Sequence, residues 1–370
     1  MTLRVALDAT PLLGARTGVG VFTLEVLRHL PATGVDVLAY ATSWRGRHLL
    51  GTTVPPGVRV ARRPQAARPL RELWRRGDRP PIEWWTGAID VVHGTNFVVP
   101  PTRRAAQVVS IHDLTFHHHP EMSTRHTLEY PGLIRWALAR GAWVHADTRF
   151  GAEEIVDVFG ADPERVVTVP LGVSPVPEAE VADGRALAGG DRFVLAVGTV
   201  EPRKDLPGLV DAFDALAADD HELRLVLAGP DGWAADQLTA RVARSPHRAR
   251  IVRLGWVDDL QRAALLRAAT VLAYPSRYEG FGLPPLEAMS VGTPVVTTAV
   301  GPLPEVLGDA AAFVPAGDPD DLAGAIAVLL DDEDERARRR AAGLERAASY
   351  TWAACAEGLS ELYRRAASAR

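Results

Sequence analysis

Two glutamates stand eight positions apart in the segment "YEGFGLPPLE", residues 278–287, where backbone and side chains together could hold a phosphorylated ligand. Gly280 and Gly282 let the main chain turn sharply and approach a ligand without obstruction by a Cβ atom. The carboxylate of Glu287 could accept hydrogen bonds from both hydroxyls of a ribose, and Glu279 precedes the same turn. The segment is therefore either part of a nucleotide site or a capped helix that contains glutamates.

A helix is predicted to begin inside this segment. Pro284 and Pro285 suit the first helical positions, where a missing N–H removes no hydrogen bond. The N-terminus of a helix attracts anions through its unpaired amides and its dipole. A phosphate is expected to contact the backbone amides of Phe281, Gly282 and Leu283.

The segment "GTVEPRKD", residues 198–205, follows a predicted buried strand and carries two adjacent cations. Lys204 is the only lysine in the chain, although lysine and arginine together number 41. Arg203 and Lys204 at the start of the next helix, with Asp205 as its cap, would neutralise a diphosphate and stabilise it as a leaving group. Arg-Lys pairs are also common on protein surfaces. Lys204 is therefore either one of two cations that bind a diphosphate or a lysine that was retained by chance.

Four of the eleven histidines lie in "SIHDLTFHHHPE", residues 110–121. The three histidines at 117–119 are consecutive, so their side chains point in different directions and do not converge on one metal ion. His112 ends a predicted strand and has Asp113 beside it, which makes it the histidine expected to take part in chemistry. No metal site is predicted.

The chain contains two successive series of alternating strands and helices, a pattern typical of α/β folds with parallel sheets. The first series has predicted strands at 3–9, 35–40, 89–94, 106–111 and 142–147. The second has predicted strands at 192–198, 223–229, 249–255, 269–275 and 293–298. Helices are predicted near 20–30, 124–140, 149–159, 206–217, 233–244, 259–268, 285–291 and 319–330, followed by a closing helix capped by Thr351.

Two doubly wound domains are expected, with ligands bound in the cleft between them, beyond the carboxyl ends of the strands. The predicted boundaries are 1–172 for the first domain, 173–191 for a linker rich in Pro, Gly and acidic residues, 192–350 for the second domain and 351–370 for the closing helix.

Length and composition set further bounds. A chain of 370 residues is too long for one compact core, and a net charge of −5 gives no reason to expect a nucleic-acid partner. The apolar runs are all shorter than the roughly 18 residues of a membrane-spanning helix. The single cysteine, Cys355, excludes an internal disulfide framework and fits a reducing cytoplasm.

The motifs together resemble retaining glycosyltransferase family 4. "EGFGLPPLE" is similar to the E-x7-E element of that family, and "GTVEPRKD" to its phosphate-clamp loop. "TGVGVFTLEVLRHL" (17–30) resembles the N-terminal glycine loop and helix, and "SIHDLTF" the His-Asp element. The resemblance implies the α/β GT-B architecture of two Rossmann-like domains facing across a cleft, with the C-terminal helix crossing back to the first. It also implies metal-independent transfer from a nucleotide sugar with retention, and no cofactor.

The resemblance assigns roles to matching positions. Glu287 would hold the ribose, Glu279 would lie near the donor sugar or its phosphates, and Arg203 with Lys204 would bind the diphosphate. Thr199 stands where many members have an arginine on the phosphate, so either Arg203 and Lys204 carry more of the charge or another residue takes the place of that arginine. Further donor contacts are expected from Gly18, Gly20, Thr199, Leu254, Trp256, Val257 and the turn Gly280–Leu283. Gly18 and Gly20 are also explained by a plain junction between a loop and a helix.

On the acceptor side, His112 would face the donor sugar, through its imidazole or its backbone, and Asp113 would orient the loop or meet the acceptor. His93, Asn96 and Thr115 follow predicted strands and are candidates to read acceptor hydroxyls. Thr95 either contacts acceptor hydroxyls or stabilises a turn, and the turn is at least as good an explanation. Trp256 either stacks on a nucleobase or belongs to the core.

The stretch at 59–79 contains eight arginines against Glu72 and Asp78, with Trp74 and two leucines between them. Such an amphipathic basic segment could rest on an anionic membrane or bind an acidic, lipid-linked acceptor. The alternative is an exposed helix on a loop. The expected location is cytoplasmic, with any membrane association peripheral, at the inner face.

Within the family, mannosyl transfer from GDP-mannose is the leading expectation for "HDLTF…GTxEPRK" chains, followed by UDP- and dTDP-sugars. The acceptor would be a saccharide, a lipid-linked glycan or a small molecule. One alternative is a nucleotide-sugar epimerase of the same fold, which needs no acceptor. The other is a non-catalytic two-lobed sugar-binding protein.

Overall fold

The computed structural model describes residues 2–14, 17–43, 46–61, 70, 72–74, 77–125 and 127–369. The chain divides into two compact units. The first comprises Met1–Gly172 together with Tyr350–Arg370, and the second comprises Val173–Ser349. In the described part of the chain, no helix is long and apolar enough to cross a membrane.

The described residues of the first unit form a sheet of seven parallel strands in the order β3-β2-β1-β4-β5-β6-β7. The strands are β1 (Arg4–Asp8), β2 (Asp36–Tyr40), β3 (Arg59–Val60), β4 (Val91–Gly94), β5 (Ala106–Ile111), β6 (Trp143–Ala146) and β7 (Val166–Thr168). The helices are α1 (Gly18–His29), α2 (Leu50–Thr53), α3 (Glu83–Thr86), α4 (Thr115–His118), α5 (Tyr130–Leu138) and α6 (Arg149–Phe159).

The second unit contains six parallel strands in the order β10-β9-β8-β11-β12-β13. The strands are β8 (Phe193–Val197), β9 (Arg224–Ala228), β10 (Ile251–Gly255), β11 (Val271–Tyr274), β12 (Val295–Thr298) and β13 (Ala312–Val314). The helices are α7 (Val181–Ala188), α8 (Leu206–Asp219), α9 (Ala235–Arg244), α10 (Asp259–Ala268), α11 (Leu283–Ser290), α12 (Leu303–Leu307), α13 (Pro319–Asp331) and α14 (Glu333–Ala348).

Both sheets have the order of doubly wound α/β folds, in which the first strand lies at the centre and the fourth strand pairs on its other side. Because helices cover both faces of such a sheet, its central strands are buried on both sides. β5 is buried at every position, and β11 likewise. The predicted fold class of two Rossmann-like α/β domains is confirmed.

The last helix, α15 (Trp352–Ser368), belongs to the first unit. Thr351 caps it as predicted, since its side chain accepts a hydrogen bond from the Ala354 amide. Gly358 lies so close to the Val169 side chain that a Cβ atom there would overlap it. The chain therefore returns to the first unit after completing the second.

The predicted linker at 173–191 is wrong as a description of this segment. It contains α7, which packs on α10 in the second unit, and a Cβ atom at Gly184 would overlap the backbone of Ala264. Glycine and acidic residues in this stretch suggested irregular chain. The small residue instead permits two helices to approach closely.

Candidate active site

The second unit has its topological switch point between β8 and β11, because the chain proceeds to opposite sides of the sheet from these two strands. Ligands of doubly wound folds bind beyond the carboxyl ends of the strands at this point. The loop after β8 carries the cations Arg203 and Lys204, and the loop after β11 carries Glu279. The parallel pairing of the two strands thus brings together both predicted donor segments.

Glu279 joins the two cations directly. Its Oε1 atom lies 2.5 Å from Nζ of Lys204 and 2.6 Å from a guanidinium nitrogen of Arg203. The Arg203 Nε atom lies 2.8 Å from the Glu201 carboxylate, and Lys204 Nζ also donates to the Tyr274 hydroxyl. Lys204 and Glu279 are both buried, so this is a charged cluster largely removed from water.

The electrostatics of the cluster keep its carboxylate ionised. Burial alone would raise the pKa of Glu279, but Arg203 and Lys204 reverse this and lower it to about 2. Burial and the neighbouring Arg203 charge lower the pKa of Lys204 to about 8, against the opposing effect of Glu279. The lysine is therefore a buried cation with a weakened hold on its proton.

The loop after β11 ends where predicted, at the N-terminus of α11. Gly282 has φ +100°, a left-handed conformation that side chains rarely adopt, and a Cβ atom there would approach the Leu303 side chain to 2.6 Å. Leu283, Pro284 and Pro285 form the first turn. The sequence therefore delivers a helix N-terminus, the natural anion-binding end, next to the charged cluster.

Glu287 lies in the second turn of α11. Its carboxylate is buried and pairs with the guanidinium of Arg262 on α10. Burial raises its pKa, and Arg262 opposes that effect. Arg262 is a partner that the sequence analysis missed, and it fixes the direction of the carboxylate expected to hold a ribose.

The cap predicted at Asp205 is also wrong. Asp205 has φ +46° and its side chain makes no capping hydrogen bond to α8. Its carboxylate instead lies 3.0 Å from Nε of Arg277, which ties together the loops after β8 and β11. The Arg277 amide also donates to the Arg203 carbonyl oxygen at 2.7 Å.

A cavity of about 420 Å³ opens at the carboxyl ends of β8 to β11. Thr199, Lys204 and Leu254, all predicted donor contacts, line it. Its size is within the range of small-molecule sites. Val257 is partly buried, whereas Trp256 is 72% exposed, so the alternative in which Trp256 belongs to the core is wrong, and its contact with a nucleobase stays a prediction.

In the first unit, His112 and Asp113 follow β5 as predicted. The His112 ring is held at both nitrogens, with Nδ1 2.9 Å from Oδ2 of Asp147 and Nε2 2.8 Å from the carbonyl oxygen of Thr95. Phe22 contacts the ring edge to face at a centroid distance of 5.1 Å. An Oδ1 atom of Asp113 accepts from the Thr115 amide at 3.0 Å and so shapes the loop.

The Thr95 carbonyl is positioned by a tight turn after β4. A Cβ atom at Gly94 would overlap the Val98 carbonyl, so only glycine permits this turn. The Thr95 hydroxyl donates to the Asp8 carbonyl oxygen at 2.7 Å and is fully buried. Thr95 thus lies in this turn, and its hydroxyl is bonded to the end of β1.

His93 is not placed to read an acceptor. It is fully buried, with Nδ1 2.6 Å from the Tyr363 hydroxyl and Nε2 2.7 Å from Oγ of Ser110. The prediction is wrong because α15 covers the end of β4 with Tyr363, which lies 270 positions after His93 in the sequence. Asn96 does line a cavity, and Thr115 is the first residue of the short helix α4.

Gly18 and Gly20 begin α1, with Gly18 exposed and Gly20 buried. Nothing in their surroundings tests the donor contact predicted for them, which stays a prediction.

The consecutive histidines form no common site. His118 lies 2.7 Å from Glu154, and His119 lies 3.3 Å from Glu121. Among the residues with described positions, no group of three or more His, Cys, Asp or Glu side chains could hold a metal ion.

Much of the arginine-rich stretch at 59–79 lies outside the described residues, namely 62–69, 71, 75 and 76. Of the described apolar residues, Leu70 and Trp74 are buried and Leu73 is exposed. Trp74 donates to the Pro80 carbonyl oxygen at 2.9 Å. Membrane contact through this stretch stays a prediction.

Asp147 and His145 are the candidate site residues that the sequence analysis missed in the first unit. Both lie in "VHAD" at the carboxyl end of β6, the same sheet edge as His112. Charged residues at the end of a buried strand were the available signal. The next residue, Thr148, caps α6 by accepting from the Gly151 amide.

Comparison with known proteins matches both units. The family model Glycosyltransferase Family 4 matches residues 16–176, and the model Glycosyl transferases group 1 matches residues 179–346. O-antigen chain mannosyltransferase B of Escherichia coli is 34% identical over 283 residues, 74% of each chain. A D-inositol 3-phosphate glycosyltransferase of Kineococcus radiotolerans is 37% identical over 251 residues, which cover 61% of this chain and 57% of that protein.

A solved structure gives the same architecture. Anabaena HepE in complex with UDP and glucose superposes with a TM-score of 0.74 at 17% identity, covering 97% of this chain and 99% of that chain. At that identity the likeness shows the fold alone. The two parallel-sheet units, the family models and the similarity to the mannosyltransferase together show that this chain belongs to glycosyltransferase family 4 and has the GT-B fold.

Proposed function

We propose that this protein transfers a hexose from a nucleotide sugar to an acceptor hydroxyl, with retention at the anomeric carbon and without a metal ion. Mannose from GDP-mannose is the leading donor, followed by UDP- and dTDP-sugars. The observation that carries the proposal is the buried cluster of Arg203, Lys204 and Glu279 beside the N-terminus of α11. Two cations and a helix end supply the positive potential that a departing diphosphate requires.

The proposed donor site rests on separate groups of the second unit. Arg203 and Lys204 would hold the diphosphate, Glu287 the ribose, and the 420 Å³ cavity the remainder of the nucleotide. The name of the Escherichia coli relative supports mannose, and the UDP in the HepE structure supports a nucleotide donor. We propose a cytoplasmic location.

The direct test is to incubate the purified protein with GDP-mannose, UDP-sugars and dTDP-sugars, with and without an acceptor panel, and to measure nucleoside diphosphate release. Acceptor-dependent release with an α-linked product from an α-linked donor is the expected result. An inverted product would contradict retention. Donor conversion without any acceptor, accompanied by a new sugar epimer, would favour the epimerase.

Metal independence has its own measurement in the same assay. Release rates should be unchanged after treatment with a chelator, because cationic side chains take the place of a metal ion in the proposed site. A loss of activity that added magnesium or manganese restores would overturn this part of the proposal.

The pKa of Lys204 gives a prediction for donor binding. Because its pKa is lowered to about 8, Lys204 loses its charge as pH rises through that value. Affinity for GDP or UDP is therefore expected to weaken between pH 7 and 9, with proton uptake on binding near pH 8. Isothermal titration calorimetry in buffers of different ionisation enthalpy measures both quantities. In Lys204→Arg the proton uptake should disappear, since arginine stays charged; uptake that persists in this variant would exclude Lys204 as its source.

The acceptor is proposed to bind in the first unit, at a cavity of about 100 Å³ beyond β1, β2 and β4. These strands surround the topological switch point of that sheet. Asp8, Tyr40 and Asn96 line the cavity, as do Thr10 and Thr42. The Tyr40 hydroxyl is buried and has no hydrogen-bond partner among the described residues, so a ligand hydroxyl could supply one.

Tyr40→Phe tests this assignment. Removing the hydroxyl is expected to raise the acceptor KM about threefold to tenfold, the value of one hydrogen bond, while the donor KM stays constant. Because the hydroxyl has no protein partner, the melting temperature should not fall. An unchanged acceptor KM would remove this cavity from the acceptor site.

A further inference from the structure

The two hydrogen-bond partners of the His112 ring can only accept. One is the carboxylate of Asp147, at 2.9 Å from Nδ1, and the other is the carbonyl oxygen of Thr95, at 2.8 Å from Nε2. A carbonyl has no proton to give, so Nε2 donates to Thr95; with Asp147 as a carboxylate, Nδ1 donates as well, and both ring nitrogens carry a proton. We propose that Asp147 is a positioning residue that holds His112 as a doubly protonated imidazolium of fixed orientation, and that transfer depends on this charge.

The ring is also fixed by its packing. Phe22 meets it at 5.1 Å and Phe97 at 6.1 Å between centroids, both edge to face. Only about 10% of the His112 side chain and 2% of the Asp147 side chain are exposed. With two hydrogen bonds and two aromatic contacts, the ring has no freedom to turn toward a second partner.

A hydrogen-bond chain beside this pair shows why the charge resides on His112. His145 Nε2 must donate to the Val169 carbonyl at 2.9 Å, and its Nδ1 lies 2.8 Å from the Ser110 hydroxyl. With Ser110 donating to His145, the same hydroxyl accepts from His93 Nε2 at 2.7 Å. His93 Nδ1 then accepts from the Tyr363 hydroxyl at 2.6 Å. Each member of the chain is satisfied while both histidines are neutral.

The directions of the histidine pKa values agree with this arrangement. Burial lowers the pKa of His145 and lowers that of His93 well below the ordinary value. Burial also acts to lower the pKa of His112, but the Asp147 charge and hydrogen bond outweigh it, so this pKa is raised. The titratable groups that interact electrostatically with the pair are Asp113 on the same loop, His145, His93 and Cys355 on α15.

The consequence for chemistry rests on the proposed function. A ring that is protonated at both nitrogens has no lone pair, so His112 does not act as a general base. It contributes a fixed positive charge beyond the carboxyl end of β5 in the first unit, and this charge is the property on which transfer is proposed to depend. Because the His112 pKa is raised, the charge is present below that pKa and is lost as pH rises through it. Transfer is therefore expected to fall on the alkaline side.

The protonation state can be measured on the wild-type protein, without any assay of activity. Long-range ¹H–¹⁵N spectra of the protein labelled at histidine, with His112 assigned by comparison with His112→Asn, report whether each ring nitrogen carries a proton. Two protonated nitrogens at pH 7.5 are expected for His112, and one each for His93 and His145. A neutral His112 ring would overturn the inference.

The role of Asp147 is tested by pH–rate profiles of transfer. Without the carboxylate, Asp147→Asn is expected to move the alkaline limb of kcat to lower pH by at least about one unit. Asp147→Glu should restore most of the shift. The matched control is Glu154→Gln, which removes the carboxylate beside His118, another His–carboxylate pair of the first unit. Its profile should coincide with that of the wild type.

The possible results distinguish failure of this inference from failure of the proposed function. A lower kcat at every pH, with the limb in place, would mean that Asp147 has only a structural role and would overturn the proposal. If Asp147→Asn does not fold, the pH–rate profile of Asp147→Glu and the spectra of the wild type still test the role of Asp147. If the wild type transfers no sugar from any donor, the proposed function fails, while the ring spectra alone decide whether His112 is an imidazolium.

Discussion

Lys204→Ala is expected to lower kcat about a hundredfold to a thousandfold, the range seen on removing one preorganised charge donor, with a smaller rise in the donor KM. The reason is that negative charge on the diphosphate grows between the bound donor and the transition state. A group that meets this charge contributes more to turnover than to ground-state binding. Lys204 is buried, with Nζ 2.5 Å from Glu279 and 4.1 Å from the centroid of the Tyr274 ring. Because this position is buried, water would stabilise the charge of the diphosphate less well than Lys204 does.

Two variants make this result interpretable. Arg185→Ala removes another cation of the second unit, half exposed and 3.6 Å from Asp191, and should leave kcat unchanged. Lys204→Arg retains the charge but places a wider planar group against Tyr274, so it should recover only part of the rate. A normal kcat in Lys204→Ala would remove the lysine from the proposed charge clamp.

Glu279→Gln is expected to have opposite effects on stability and on nucleotide binding. In the absence of ligand, Lys204 and Arg203 lose their shared counter-charge, which should lower the free energy of unfolding by about 3 kcal/mol, as for a broken buried ion pair. The cations then have one counter-charge fewer, with Glu201 still beside Arg203, so GDP or UDP should bind several-fold more tightly. Turnover should nevertheless fall, because Glu279 is proposed to lie near the donor sugar.

Glu335→Gln is the matched control for this change. Glu335 also bridges two cations, at 2.6 Å from Arg338 and 2.7 Å from Arg339, and its pKa is likewise lowered to about 2. It lies at the surface of α14, where such pairs contribute less than about 1 kcal/mol. For Glu335→Gln, chemical denaturation should show little change in the free energy of unfolding, and calorimetry little change in the affinity for GDP or UDP. Equal losses of stability in the two variants would contradict a special role for burial at Glu279.

The second unit's site was largely predictable because its signals are local. The turn at Gly282, the prolines that begin α11 and the pair Arg203–Lys204 each follow a strand that is evident from its apolar run. Parallel pairing then brings the strand ends to one edge of the sheet without further information. The helices at 149–159 and 259–268 were predicted at their observed bounds for a similar reason, since each has a cap and a regular apolar face.

What the sequence did not reveal depends on contacts between distant segments. His93 looks like an exposed polar residue at a strand end, but the Tyr363 side chain of α15 encloses it. Asp147 became recognisable as a site residue only when β5 and β6 were seen to be neighbours. The strands β3, β7 and β13 have two or three residues each, too few to show a pattern.

The central claim is that the charged cluster of the second unit binds the diphosphate of a nucleotide sugar. Calorimetric titration of GDP and UDP into the wild type and into the double variant Arg203→Gln/Lys204→Gln tests it most directly. The variant should bind about a hundredfold more weakly, since two charge-assisted hydrogen bonds are lost. If the double variant binds both nucleotides as tightly as the wild type does, the diphosphate lies elsewhere and the proposed donor site is wrong.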